Sequence, residues 1–342
     1  MAFTTINKSS DYFEPEIYTG NGSSKTISTL NFQPDWVWIK NRATSDMNVL
    51  FDSLRGATKR IASDSTAAEA TEAQDLTAFN TNGFTVGTSG AVNTNNVSYA
   101  SWNWKANGQG SSNTAGSINT TYTSANTTSG CSIITYTGNS TSGATIGHGL
   151  GVAPKVVIVK ALNSASYDWG VYHASLGNTK NMRLNLTDAV ATSTAFWNDT
   201  TPSSSLVYLG NNGTVNADSI NYVAYCFADV QGFSKMGSYI GNGSSSGTFC
   251  YTGMKPAFIL LKNSENGARN WQIYDSKRIG YNVANYRIAT NLPQTEETNV
   301  NIDILSNGFK ARSTDADVNE NAKKYIYMAF AEAPLVGTNN VP

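Results

Sequence analysis

An internal repeat is the feature of this sequence that most constrains its fold. A tyrosine, a proline, a lysine and a second tyrosine recur three times, and the lysine follows the proline by six residues in every copy. In chain order these landmarks are Tyr18, Pro34, Lys40 and Tyr99, then Tyr136, Pro154, Lys160 and Tyr222, then Tyr239, Pro256, Lys262 and Tyr325. A copy of about 100 residues has the size of a domain and is too long for one turn of a solenoid.

The copies and the stretches between them predict a domain organisation. The stretch that follows the first copy consists almost wholly of Gly, Ser, Thr, Asn and Ala, which is typical of a flexible linker. The connector before the third copy is much shorter, which favours docking of copies two and three. We predict an N-terminal segment 1–11, a first repeat 12–107, a flexible linker 108–131, a second repeat 132–233, a third repeat 237–333 and a loose or partner-bound tail 334–342.

The composition predicts an all-β fold. Asn, Ser and Thr are abundant, and their short side chains compete with helical backbone hydrogen bonds. The apolar run before each lysine is typical of a central strand buried on both faces. Short strands with turn signals favour three tandem β-sandwich, jelly-roll-like domains. One helix is an alternative within residues 66–79, because Thr66 and Glu69 have the spacing of a capping box.

Charge and cysteine content exclude several classes of function. The net charge is −1, so the chain has no basic excess with which to bind nucleic acid. We expect no membrane insertion and no signal peptide, because no apolar run is long enough and the N-terminus lacks a basic region followed by an apolar one. The three cysteines have no C-x-x-C spacing, so we predict free buried thiols, no metal and no cofactor.

Motifs that could carry chemistry are incomplete. The run from Asp315 to Asn321 has the alternating oxygen ligands of an EF-hand loop but lacks its glycine and its terminal glutamate, so it is interpreted as a polar loop. Neither histidine recurs beside a nucleophile. A carboxylate pair for glycosidic cleavage stays open as an alternative. We predict that the protein is not an enzyme.

Tryptophans divide into two groups. Trp36, Trp38, Trp102 and Trp104 are core candidates, because the other copies carry different apolar residues at most of the equivalent positions. Trp169, Trp197 and Trp271 lie among polar residues, so they are the candidates for contact with a partner or a glycan. The alternative, which we favour for all three, is a half-buried position in a sheet.

Two arginines are further candidates for partner contact. Arg55 and Arg278 occupy equivalent places, each shortly after an aspartate, Asp52 or Asp275. The alternative, which we favour, is an aspartate–arginine pair that ties a loop within the domain.

Residues 12–107 resemble an uncharacterised repeat domain of tailed-phage virion proteins. The resemblance is carried by Tyr18–Gly22, Leu30–Arg42, Phe51–Gly56, Asn82–Gly87 and Tyr99–Lys105. It is diluted in the later copies. It implies a structural role in the virion, as tail fibre, adaptor, or head decoration or fibre, and transfers no catalytic residues.

The predicted function is therefore that of a non-enzymatic bacteriophage virion protein, assembled in the bacterial host cytoplasm. A tail fibre or fibre-like component for host attachment is preferred. The alternatives are a capsid decoration, head fibre or tail adaptor, and a polysaccharide-degrading tailspike. Expected partners are other virion proteins and a host cell-surface glycan, and we expect a homo-oligomer, with a trimer as the first guess.

Overall fold

Nearly all regular structure in the computed structural model, which describes residues 3–337, is β-strand. The strands of each sheet pair antiparallel, which confirms the all-β prediction. Helices in the described residues are limited to a 3₁₀ turn at Ser9–Asp11 and three segments of four residues. We refer to residues 12–107, 122–227 and 234–334 as segments 1, 2 and 3.

Segment 1 forms one large and one small sheet. Its elements are β1 (Phe13–Thr19), β2 (Lys25–Ile27), β3 (Trp36–Asn41), β4 (Val49–Asp52), β5 (Lys59–Ala62), β6 (Ala70–Thr71), β7 (Leu76–Asn80), β8 (Gly83–Val86), α1 (Gly90–Asn93) and β9 (Ser98–Trp104). The large sheet has the order β1-β9-β3-β4-β5-β6, and the small sheet has the order β2-β8-β7.

Segment 2 also forms one large and one small sheet. Its elements are β10 (Tyr122–Asn126), β11 (Cys131–Thr137), β12 (Ala144–Gly147), β13 (Val156–Ala161), β14 (Gly170–His173), β15 (Lys180–Arg183), β16 (Ala191–Thr192), α2 (Thr194–Trp197), β17 (Leu206–Leu209), α3 (Gly213–Asn216) and β18 (Asn221–Phe227). The large sheet has the order β10-β11-β18-β13-β14-β15-β16, and β12 pairs with β17.

Segment 3 also forms one large and one small sheet. Its strands are β19 (Ser234–Ile240), β20 (Phe249–Tyr251), β21 (Met254–Asn263), β22 (Gln272–Asp275), β23 (Ile288–Ala289), β24 (Ile302–Leu305), β25 (Gly308–Ala311) and β26 (Lys324–Pro334). The large sheet has the order β19-β26-β21-β22-β23, and the small sheet has the order β20-β25-β24.

The strand that contains the landmark lysine is flanked by two other strands in each large sheet. In segment 1, all six residues of β3 are buried, because β9 and β4 flank the strand and apolar groups cover both faces. Strands β13 and β21 are flanked in the same way by the closing strand and by the strand that follows. The prediction of a central buried strand is confirmed.

The two landmark tyrosines of each segment stack on each other. The ring centroids are 5.2 Å apart for Tyr18 and Tyr99, 5.1 Å for Tyr136 and Tyr222, and 4.8 Å for Tyr239 and Tyr325. The opening strand pairs with the closing strand, so each tyrosine faces its partner across the ladder. This contact explains why both tyrosines recur.

The three large sheets share one core. In each segment the small sheet covers one face of the large sheet, and the opposite faces of the three large sheets meet. Trp36 stacks on Tyr225 of segment 2 at 4.5 Å, and Trp104 lies edge-on to Phe258 of segment 3 at 5.4 Å. Phe227 and Phe330 complete the contact at 5.6 Å. The three segments therefore enclose a common aromatic centre.

The core prediction for four tryptophans is confirmed. Trp36, Trp38, Trp102 and Trp104 are each at most 1% exposed. Their indoles line the shared core, where each lies within ring-contact distance of another tryptophan or phenylalanine. Aromatic rings of this size supply much of the apolar area that holds the three sheets together.

The prediction of a flexible linker over residues 108–131 is wrong. Strand β10 lies in this stretch and pairs with β11 along its whole length. Ile118 is buried and forms a bridge with Ile146, and the Asn126 side chain donates to Ala106 O at 3.1 Å. A polar strand is stable here because it joins the edge of a sheet whose apolar face already packs against other elements.

The alternative of a helix over residues 66–79 is also wrong. This stretch contains β6 and the first residues of β7. The Glu69 carboxylate does not cap a helix but accepts from the buried Arg55 guanidinium at 3.1 Å. The acidic residue of the capping-box pattern thus serves a tertiary contact.

The described ends of the chain pack on the fold. In the N-terminal segment, Ile6 is 2% exposed and belongs to the shared core. Residue Pro334 ends β26, and Leu335 N donates to Gly253 O at 3.4 Å. The predicted loose tail lies mostly outside the described residues. No helix in residues 3–337 combines the length and the apolar character needed to cross a membrane.

Candidate functional site

Buried lysines join each large sheet to its neighbour. The Nζ atom of Lys160 donates to Thr66 O at 2.8 Å, that of Lys262 to Thr187 O at 3.0 Å, and that of Lys40 to Pro293 O at 3.3 Å. Segment 2 thus donates to segment 1, segment 3 donates to segment 2, and segment 1 donates to segment 3. We call these contacts the 2–1, 3–2 and 1–3 junctions; together they close a ring.

Each of these lysines also orders a loop of its own segment. Their Nζ atoms donate to Asp46 O at 2.7 Å, Tyr167 O at 3.3 Å and Arg269 O at 2.8 Å. All three lysines are fully buried. Burial lowers the pKa of Lys40, Lys160 and Lys262 to about 8, although nearby carboxylates partly oppose this change. The recurrence of the lysine is therefore explained by carbonyl binding at a junction.

A second contact recurs at the junctions through indole or amide groups. Trp169 Nε1 donates to Ala62 O at 3.0 Å, Trp271 Nε1 to Arg183 O at 2.9 Å, and Asn48 Nδ2 to Ala289 O at 3.2 Å. Each donor directly precedes the strand that pairs with the central strand, and each acceptor lies on the next strand of the neighbouring segment. A tryptophan and an asparagine thus perform the same task.

A third contact involves residues at the end of β4, β14 and β22. Tyr225 Oη donates to Asp52 Oδ2 at 2.7 Å, and Trp102 Nε1 donates to Asp275 Oδ2 at 2.9 Å. At the 3–2 junction the equivalent residue is His173, whose Nε2 lies 3.1 Å from Tyr327 O. The charged group is thus replaced by an imidazole at one of the three junctions.

Arg55 and Arg278 form buried ion networks. Arg55 Nε lies 2.6 Å from Asp52 Oδ2, and Arg278 Nε lies 2.6 Å from Asp275 Oδ2. Arg278 also pairs with Glu296 at 3.0 Å. Side-chain exposure is 3% for Arg55 and 0% for Arg278, so these guanidiniums are not partner contacts. The loop-tying alternative describes them correctly.

The predicted contact tryptophans are also internal. Trp169, Trp197 and Trp271 are 0%, 1% and 4% exposed. Trp197 lies in the core of segment 2, edge-on to Tyr172 at 5.8 Å. Their prediction as glycan or partner contacts is wrong, because the polarity of sequence neighbours does not determine burial once another segment covers the site.

His173 is held as a neutral imidazole. Its Nδ1 accepts from Ser175 N at 3.2 Å, so the proton lies on Nε2, which faces the Tyr327 carbonyl. Burial lowers the pKa of His173 to about 4, and the hydrogen bond to Tyr327 partly opposes this change. A second proton would place an N–H opposite the Ser175 N–H.

The cysteine thiols and the acidic loop also make contacts within the protein. All three cysteines are free and buried, and burial raises their pKa. In the loop that begins at Asp315, Asp317 Oδ2 accepts from Arg287 Nη1 at 3.0 Å and from Gln272 Nε2 at 2.9 Å. Within residues 3–337, no group of three His, Cys, Asp or Glu side chains is placed to hold a metal ion.

The junction network is the best-defined candidate site of the molecule. It binds three sheets to one another through charges, amides and indoles that are withdrawn from solvent. Sequence reasoning missed Lys40, Lys160, Lys262 and Asn48 as junction residues. A signal was present: Trp169 and Trp271 each follow the landmark lysine by nine residues, and such recurrence indicates a structural role.

Comparison with known proteins gives a family. No curated protein and no solved structure matches the chain. A family model described as a domain of unknown function (DUF7483) matches residues 8–334. This range includes the three large sheets and the stretch between segments 1 and 2, so the closed ring lies within one family unit. The chain therefore belongs to the family of the domain of unknown function DUF7483.

Proposed function

We propose that this chain is a non-enzymatic structural component of a bacteriophage virion, built from three copies of one two-sheet unit. Its preferred place is a tail fibre or fibre-like component that takes part in host attachment. The proposal rests on the resemblance of segment 1 to a repeat domain of tailed-phage virion proteins. The observation that carries the structural role is the ring of junction contacts, which holds the chain as a single body.

The three-copy architecture is supported by equivalent contacts. The lysine, the indole or amide donor and the Asp52, His173 or Asp275 position recur at all three junctions. Within each copy we infer a sandwich whose large sheet contains a meander, such as β3-β4-β5-β6, rather than the crossed connections of a jelly roll.

Assembly is favoured over catalysis by the use of the ionisable groups. The carboxylates of Asp52 and Asp275 are neutralised by arginines, and His173 is neutral and buried. Groups held in this way are arranged to stabilise a fold rather than to transfer protons. The low net charge of −1 further supports neutral contacts with partners, which depend weakly on salt.

The proposal is tested on purified particles of a phage that encodes this chain. We expect the chain to co-purify with intact particles at a fixed copy number, and cryo-electron microscopy to place it on the tail. Its presence in the lysate but not in particles would contradict the virion role. Placement on the head would replace attachment by the decoration or head-fibre alternative.

Two further parts of the proposal have their own measurements. Incubation with capsular or O-antigen polysaccharide should leave the polymer length unchanged, whereas shortening would support the tailspike alternative. The trimer stays a prediction, and light scattering coupled to size exclusion measures it. Because one chain already fills the shared core, a trimer would assemble through the outer surfaces of the segments.

A further inference from the structure

We propose that a cavity between the turn at Tyr251–Gly253 of segment 3 and the turn at 230–234, which leads into β19, binds a neutral saccharide. The cavity has a volume of about 470 Å³, within the range of small-ligand sites. The inference deepens the proposed role in host attachment and rests on it for its biological meaning. Its physical basis is an exposed aromatic ring beside polar side chains.

Exposed apolar side chains are concentrated in segment 3. Of seven large apolar residues exposed in the described chain, five lie between residues 240 and 283. Tyr251 is 56% exposed. Cys250 pairs with Phe309, Ile27 with Phe84 and Ile146 with Val207 in the three small sheets. The residues that follow Ile27 and Ile146, at the place of Tyr251, are Ser28 and Gly147. The unit therefore folds without an aromatic ring at this place, which indicates that Tyr251 serves another purpose.

The backbone holds the Tyr251 ring in a defined position. Gly253 has a φ of +75°, and the Tyr251 hydroxyl and ring carbons lie 3.6–3.8 Å from the place where a Cβ of residue 253 would stand. Glycine permits the left-handed backbone of this turn, and the Tyr251 ring lies at van der Waals distance from it. A ring that rests on a turn while more than half of the residue is exposed can stack on the apolar C–H face of a pyranose.

Polar groups on the other side of the cavity suit sugar hydroxyls. Lys235 Nζ lies 2.7 Å from Asp229 Oδ2, and Met236 N donates to Asp229 Oδ1 at 2.8 Å. These bonds orient the carboxylate, while Lys235 is 43% exposed and retains further donors. Gln231 is exposed and adds an amide that both donates and accepts. Since Lys235 and Asp229 neutralise each other, an uncharged sugar fits better than an acidic one.

The test uses the full-length protein and a panel of methyl pyranosides with gluco, galacto, manno and N-acetylglucosamine configurations. We expect at least one of them to bind at millimolar concentration and to shift the NMR resonances of residues 229–235 and 251–253. Tyr251→Ala should weaken binding about tenfold, because aromatic stacking is lost, whereas Tyr251→Phe should retain it. Tyr281→Ala is the matched control, since Tyr281 is 75% exposed and lies outside this cavity.

The outcomes separate this inference from the proposed function. Absence of binding by every pyranoside, or equal loss in the Tyr251→Ala and Tyr281→Ala variants, overturns the saccharide site. An unchanged melting temperature of each variant shows that the fold is intact. A chain that is present in particles but binds no sugar retains the virion role alone. A chain that binds sugar but is absent from particles retains the site and loses the virion role.

Discussion

The 1–3 and 3–2 junctions make the same contact with different chemistry. At the 1–3 junction Trp102 of segment 1 donates to Asp275, a carboxylate that is paired with Arg278. At the 3–2 junction the neutral His173 faces the carbonyl of Tyr327. The backbone places a polar side chain from β22 or β14 against the closing strand of the next segment in both cases. The comparison shows that the ring requires a polar side chain at this position but not a particular one. The chemistry of that side chain decides which change weakens the junction.

The charged junction is sensitive to the loss of one partner. A buried carboxylate and guanidinium are stable together, but either group alone bears the cost of desolvation. The His173 contact at the 3–2 junction has no such pair. Protonation of the imidazole is therefore the change that weakens this contact.

Asp275→Ala should cause the largest loss. It leaves the Arg278 guanidinium without its nearest carboxylate and removes the acceptor of Trp102 Nε1. We expect the free energy of unfolding to fall by about 3–5 kcal/mol, measured by urea denaturation. The double variant Asp275→Leu, Arg278→Met is the control and should recover part of the loss. A loss below about 1 kcal/mol in the single variant would contradict the assigned pairing.

The second prediction concerns acid stability and His173. Its pKa of about 4 in the folded protein is below its ordinary value of 6.5, so the unfolded chain binds more protons between these pH values. Stability supplied by the neutral ring is therefore complete above pH 6.5 and is lost as pH falls to 4. The loss amounts to about 3 kcal/mol. Asp229 and Lys324 lie near the ring and shift its pKa in opposite directions.

The His173→Gln variant isolates this effect. Its amide can still donate to Tyr327 O but does not titrate. Between pH 7 and pH 4 the variant should lose about 3 kcal/mol less than the native protein in chemical denaturation. If the free energy of unfolding fell equally with pH in the two proteins, protonation of His173 would not be what weakens the 3–2 junction in acid.

Trp271→Phe should have an intermediate effect. The change removes the donor to Arg183 O and leaves most of the ring in place. Arg183 O keeps a longer bond from Leu186 N at 3.4 Å, so we expect a loss of about 0.5–1.5 kcal/mol from the missing hydrogen bond, measured by thermal or urea unfolding. Trp197→Phe is the matched control, because the equally buried Nε1 of Trp197 has no hydrogen-bond partner. Equal losses in both variants would assign the effect to ring volume and not to the junction bond.

Lys277→Ala should have the smallest effect. The Lys277 ammonium lies 3.3 Å from Glu16 of segment 1, but the lysine side chain is 43% exposed. Solvent screens such a pair, so we expect a change below about 0.5 kcal/mol in urea unfolding. A loss comparable to that of Asp275→Ala would show that the outer charges, and not the buried contacts, hold segments 1 and 3 together.

Sequence patterns correctly predicted features that depend on one copy alone. The buried strand β3 follows from its apolar run, and the core position of Trp102 follows from comparison of the three copies. The pattern failed for Trp169, because its polar sequence neighbours do not reveal that segment 1 covers the indole. It failed for Lys160 as well, since a lysine is expected to be exposed unless a partner is known.

The stretch over residues 108–131 shows that composition also leaves out the neighbouring elements. A stretch rich in Ser, Thr and Asn has too little apolar area to fold alone. Strand β10 is nevertheless ordered, because β11 supplies a hydrogen-bonding edge and the segment beneath supplies the core. Composition thus predicted that the stretch lacks a core of its own, but not that it would pair with the edge strand of an existing sheet.

The central claim is that the three segments form one cooperative body around a shared core. Differential scanning calorimetry of the full chain tests it most directly. The account predicts a single transition whose calorimetric enthalpy equals the van't Hoff enthalpy. Two or three separate transitions, each with the enthalpy expected for about 100 residues, would contradict it, because segments that melt independently do not depend on the junctions.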